Sequence, residues 1–74
     1  MILEKEKYLN LIGKRLRGLR EERELSQFEL AEKAGLHENY IGQIERAEQN
    51  PSIYIFYKIT IGLGINMDEF FKEI

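Results

Sequence analysis

At 74 residues the chain has room for one small domain and no second one, so a single domain over 1–74 is expected. Hydrophobic residues at 43% and charged residues at 32% give a globular rather than a disordered composition. With no cysteine and one histidine, His37, a disulfide framework, a thiolate metal site and a conventional zinc site are excluded. The net charge of −2 counts against a nucleic-acid binder, but it is unevenly spread. Residues 1–24 carry seven basic and five acidic side chains, and residues 25–50 carry two basic and five acidic ones. The N-terminal Met-Ile-Leu-Glu-Lys-Glu-Lys contains no long apolar run, which argues against a signal peptide or membrane span and makes the cytoplasm the expected location.

The pattern is helical throughout. Leu9, Ile12, Leu16 and Leu19 recur at steps of three and four, predicting a first helix that ends near Glu24. Ser26-Gln27-Phe28-Glu29 is a capping box: the serine hydroxyl accepts the third helical amide and Glu29 reaches back to the serine amide. A short second helix carries Leu30, Ala31 and Ala34 on one side and stops at Gly35. Only Gly35, Leu36 and His37 then precede a third helix, predicted from about Glu38 to Arg46 or Ala47, so helices two and three must cross steeply. Asn50-Pro51-Ser52 breaks the chain, and both Asn50 and Ser52 qualify as the cap of a fourth helix to Leu63. Gly64 stops that helix, and Asn66 or Asp68 opens a last short one through Phe70 and Phe71. The expected fold class is therefore all-α, with five helices and no strand.

On a helical wheel of the third helix, Glu38, Asn39, Gly42, Gln43 and Arg46 share one sector roughly 140° wide. Ile41, Ile44, Glu45 and Glu48 share another, with Tyr40 at its margin. One face is polar and long-armed, and the other must pack on the first two helices. A major-groove reader needs this separation: Asn and Gln offer a donor and an acceptor to adenine, Arg forks onto guanine and Glu accepts from cytosine. Gly42, central on the polar face, is expected to let the helix sit close to DNA. Periodicity alone favours the solvated face of an ordinary amphipathic helix.

The run Leu25-Ser26-Gln27-Phe28-Glu29-Leu30-Ala31-Glu32-Lys33-Ala34-Gly35-Leu36, followed by Tyr40-Ile41-Gly42-Gln43-Ile44-Glu45-Arg46, resembles the Cro and phage-repressor (XRE) type of helix-turn-helix. Asn50-Pro51-Ser52 and Leu63 through Phe71 fit the same pattern, so the likeness covers about residues 9–71. It implies a five-helix, lambda-repressor-like domain with the helix-turn-helix at helices two and three. By position, it implies base contacts from Glu38, Asn39 and Gln43. Phosphate contacts are implied for Gln27 at a helix N-terminus, for Tyr40 through its hydroxyl, and for Arg46, Gln49 and Asn50 in the following loop. Arg20 and Glu45 match a pair that bridges the first and third helices in several relatives. Four departures stand out, one being Phe28 where an exposed polar residue is usual. His37 replaces the usual Ser, Thr or Asp cap, making a poorer cap that can meet a phosphate when protonated. Glu38 replaces a residue that is often Arg or Gln, and Ala47 stands where Gly is common.

The fourth helix holds Ile53, Tyr54, Ile55, Phe56, Tyr57, Ile59, Ile61 and Leu63, more apolar surface than one buried face needs. Two readings follow. Either Ile2-Leu3 or the C-terminal Phe71 and Ile74 cover it, or it is a homodimer interface built from Tyr54, Ile55, Tyr57, Ile61 and Phe71. A twofold dimer would present two third helices about 34 Å apart to a palindromic site. The expected function is sequence-specific binding of double-stranded DNA and transcriptional regulation, with repression by promoter occupancy as the simplest mode. The alternative is an antitoxin-like protein-interaction module that keeps the fold with weak or no DNA binding. Phage repressors, restriction-modification controllers and antitoxins fit the resemblance equally. An enzyme is not expected, because no His-carboxylate constellation and no glycine-rich phosphate loop is present. No cofactor or metal is expected with no cysteine and one histidine, and no small-molecule effector is evident, the chain ending too soon after the fifth helix for a separate effector domain to be expected.

Overall fold

The computed structural model describes residues 2–72 and Ile74, with Ile2 and Leu3 described by their backbone alone. Five helices follow in order: α1 (Ile2–Glu22), α2 (Gln27–Ala34), α3 (Tyr40–Glu45), α4 (Ile53–Leu63) and α5 (Met67–Phe71). No strand occurs among the described residues, and no helix among them is long and apolar enough to cross a membrane.

The caps are built by the residues best suited to them. Ser26 Oγ accepts the Glu29 amide at 3.0 Å and Glu29 Oε1 accepts the Ser26 amide at 2.8 Å, a complete capping box. Gly35 (φ 70°) and Gly64 (φ 77°) close α2 and α4 in the left-handed conformation. Of the two candidate caps at each later helix, Ser52 opens α4 and Asn66 opens α5 through their side chains.

The core gathers Leu16 and Leu19 of α1, Leu30 and Ala31 of α2, Ile41 and Ile44 of α3, Phe56, Ile59 and Leu63 of α4, and Phe70 of α5. The rings of Phe56, Phe70 and Phe71 meet at centroid distances of 5.0–5.6 Å in tilted or edge-on pairs, which joins α5 to α4. α2 packs on α4 and α1 packs on α3. The second contact is very close, because a Cβ added at Gly13 would lie 2.6 Å from the Glu45 carbonyl oxygen. Only glycine allows α1 and α3 this approach.

Cations of the scaffold meet three helix C-termini, where orphan carbonyls and the helix dipole favour positive charge. Arg15 donates to the Phe70 and Glu69 carbonyls at 2.9 and 2.7 Å, and Arg23 to the Leu63 carbonyl at 2.8 Å. Lys58 reaches the Gly35 carbonyl at 3.0 Å. Much of the basic excess of residues 1–24 is thus turned toward the protein's own backbone.

Two helix boundaries differ from expectation. α1 ends at Glu22 rather than Glu24, because Glu24 takes a left-handed φ of 55° and the Leu25 amide bonds back to the Arg20 carbonyl at 3.2 Å. α3 begins at Tyr40 rather than Glu38 and ends at Glu45. Glu38 and Asn39 form a turn before it, in which the Tyr40 amide bonds the His37 carbonyl at 3.0 Å.

Candidate nucleic-acid interface

The capping box fixes where α2 starts, Gly35 turns the chain, and α3 restarts after four more residues. His37 organises that restart, since its Nδ1 accepts the Asn39 amide at 3.2 Å. The ring nitrogen takes the acceptor part that a Ser or Asp side chain would play at this turn. Glu38 and Asn39 are exposed at the tip of the turn. Asn39 holds the N-cap position of α3 without a capping side-chain bond, and its exposed amide carries both donor and acceptor.

Beneath the tip lies a network that ties three helices together. Arg20 Nε donates to Glu45 Oε2 at 2.6 Å, and Arg20 Nη2 and Gln27 Nε2 both donate to Glu45 Oε1, at 3.1 and 3.0 Å. The Arg20 and Glu45 side chains retain only 11% and 4% of their exposure. Arg20 also donates to the Leu25 carbonyl at 2.8 Å, which ties the loop before α2 to the same point. The hydrogen bonds it donates to Glu45 raise the guanidinium pKa above its ordinary value, against the opposing effect of burial.

Gly42 of the polar face meets Gln27 of α2 here. Gly42 is buried and does not open α3 toward a ligand. A Cβ at Gly42 would sit 3.0 Å from both Gln27 Oε1 and an Arg46 nitrogen, so the missing side chain makes room for the Gln27 amide on its way to Glu45. Gln27, expected to donate to a phosphate, spends one amide N–H inside the fold and is half-buried.

The loop after α3 is closed by a left-handed residue that is not glycine. Ala47 has φ 63°, its amide bonds the Ile44 carbonyl at 3.0 Å, and the Glu48 amide bonds the Gln43 carbonyl at 2.8 Å. The path is the one a glycine would take. It brings Arg46 and Glu48 together in a two-pronged pair at 2.9 and 3.1 Å, exposed on the surface. That bond lowers the Glu48 pKa and raises that of Arg46. Glu48 was not singled out from sequence, where it falls on the inward sector; the turn at Ala47 takes it off the helix. On the other side of the loop Gln49 Nε2 donates to Gln43 Oε1 at 3.1 Å, and both residues are half-buried. Tyr40 is half-buried with its ring against the core, and Asn50 is exposed just before the buried Pro51.

A second surface lies on α4. Tyr54, Tyr57 and Ile61 are 63%, 53% and 57% exposed at helical spacing, and Ile53, not among the expected interface residues, is 73% exposed beside them. Ile55 and Phe71 are half-buried against the core, so they offer less to any partner than the other three. Ile74 is itself exposed. A cover formed by the side chains of Ile2 and Leu3 lies outside the described residues.

Two short helices crossing at a tight left-handed turn, locked by an ion pair to a long first helix, define a helix-turn-helix domain. The HTH_3 helix-turn-helix family matches residues 16–70, and the chain belongs to it. The chain is 39% identical over 62 residues to the immunity repressor protein of Bacillus phage phi105, covering 84% of this chain and 43% of the repressor. It spans about half the length of this repressor and of SinR from Bacillus subtilis. Among solved structures, the restriction-modification controller protein C.AhdI from Aeromonas hydrophila superposes with a TM-score of 0.85 at 38% identity, covering 88% of this chain and 98% of that one. The controller C.Esp1396I, solved as a tetramer in complex with its natural 35 base-pair operator, gives 0.82 at 31% identity and covers 88% and 86%.

Proposed function

We propose that residues 1–74 act as a single DNA-binding domain that recognises a specific double-stranded sequence and regulates transcription, with repression by occupancy as the simplest mode. The observation that carries this reading is the tip of the α2–α3 unit. Glu38 and Asn39 stand exposed there, with Gln43 one turn along, on a frame fixed by the Arg20–Glu45–Gln27 network. Preorganised polar side chains at the start of a short helix suit the edges of base pairs in the major groove. Family membership and the operator-bound relative support the same reading. In this reading Gln27, His37, Tyr40, Arg46, Gln49 and Asn50 lie along the phosphates beside the tip.

The unit binds as a homodimer through α4, where Tyr54, Tyr57 and Ile61 form one apolar stripe with Ile53 at its edge and Ile55 and Phe71 behind it. Two copies double the phosphate contacts, which offsets the small number of outward cations on each. Replacing Tyr57 or Ile61 by glutamate is expected to leave a monomer in sedimentation at tens of micromolar. Sedimentation of the unaltered chain as a monomer at that concentration rejects the interface.

In-vitro selection from a random DNA pool tests the whole reading. A conserved half-site, found twice with twofold symmetry and lost steeply as salt rises, is the expected result. Enrichment of no sequence at low salt overturns it and leaves the protein-interaction module.

A further inference from the structure

Gln43 differs from the other two residues proposed to read bases. Glu38 and Asn39 are exposed, and neither side chain forms a hydrogen bond among the described residues. Gln43 is half-buried, and its side-chain carbonyl accepts the Gln49 amide at 3.1 Å. The grip is reinforced by the backbone, because the Gln43 main-chain carbonyl accepts the Glu48 amide at 2.8 Å. Downstream, buried Pro51 and the Ser52 cap of α4 restrict the loop, so Gln49 is held on both sides.

A primary amide presents one acceptor oxygen and two N–H donors. With its oxygen turned back to Gln49, Gln43 shows the outside its NH2 group. We propose that Gln49 is a positioning residue that makes Gln43 a donor, directing it to the acceptor edge of guanine or thymine. The two-pronged adenine contact expected from sequence needs the oxygen and the nitrogen to face the base together, which the Gln49 contact opposes. This inference rests on the DNA-binding reading and refines it at one base pair.

The test is selection from a random pool with the unaltered chain, Gln43→Ala, Gln49→Ala and Gln49→Glu. Gln43→Ala identifies the base pair concerned as the one whose preference it abolishes. The unaltered chain is expected to select guanine or thymine there. A glutamate at 49 can only accept, so Gln43 must donate to it and turn its oxygen outward. The preference at that base pair then moves to adenine or cytosine by roughly tenfold, on top of a uniform affinity loss from the added charge. Gln49→Ala is expected to broaden the preference at that pair alone. Selection of adenine or cytosine by the unaltered chain, or an unmoved preference in Gln49→Glu, overturns the proposal. A DNA-free measurement separates this failure from failure of DNA binding. The side-chain amide resonances of Gln49 are expected to shift in Gln43→Ala, and resonances that ignore the change refute the lock whatever the chain binds.

Discussion

Glu45→Ala is the sharpest probe of how the recognition unit is held. The side chain is 4% exposed, and its two oxygens accept three hydrogen bonds, two from Arg20 and one from Gln27. Truncation leaves Arg20 with its Leu25 carbonyl bond but strands Nε and Nη2 in a site only 11% exposed. An exposed ion pair contributes about 0–1 kcal/mol, whereas removing one partner of a buried pair costs roughly 3–5 kcal/mol. The burial selects the second regime, and the residual exposure of Arg20 selects its lower end, about 3 kcal/mol. A chain of 74 residues has a total stability of roughly 4–11 kcal/mol, so the variant loses a large share of it. At about 4–8 °C per kcal/mol in a domain of this size, the melting temperature falls by roughly 12–24 °C. Urea denaturation followed by circular dichroism should show the midpoint falling with an unchanged slope. The double variant Arg20→Met with Glu45→Leu removes both charges and is expected to recover most of the loss. A single-variant loss below about 1 kcal/mol would show that the pair behaves like a surface contact and refute the reasoning.

Ala47→Gly is expected to stabilise the fold by about 1 kcal/mol, because a left-handed φ of 63° strains alanine and not glycine; a lowered melting temperature contradicts this. Glu48→Gln frees Arg46 from its exposed pair, so DNA affinity should rise and the slope of log affinity against log salt should steepen by about 1; an unchanged slope shows that Arg46 meets no phosphate. Glu29 titrates below its ordinary value because the Ser26 amide and hydroxyl bond its charged form. A carboxyl pKa lowered in the fold adds stability that is full above the unfolded-state value and is lost as pH falls through the folded-state value. The stability difference between the unaltered chain and Glu29→Gln should therefore shrink on acidification in that range, and a difference that grows would reverse the sign.

The elements whose signals are local were legible in the sequence. Ser26 with Glu29, and Gly35 and Gly64 at helix ends, act within four residues and can be read directly. The boundaries at Glu24 and Ala47 were not, because both helices end in a left-handed conformation carried by residues that do not advertise it. The wheel placed Glu45 inward because periodicity reports burial. It misplaced Gly42, because the space a glycine leaves can be filled by a neighbour, and the Gln27 amide comes from another helix. The Arg20–Glu45 pair, expected from the family resemblance, is present, whereas the carbonyl partners of two other arginines could not be read. Arg15 and Arg23 serve carbonyls 55 and 40 residues away, a relation that no local pattern encodes.

The separation between the exposed tip and the buried network bears on how chains of this design diverge. The side chains of Glu38 and Asn39 make no hydrogen bond among the described residues, whereas Arg20, Gln27, Gly13 and Glu45 hold each other. In the proposed DNA-binding reading, address and frame can therefore change on separate schedules. A copy of the gene could exchange its tip residues one at a time, each intermediate still folded, and arrive at a new target without passing through an unfolded ancestor.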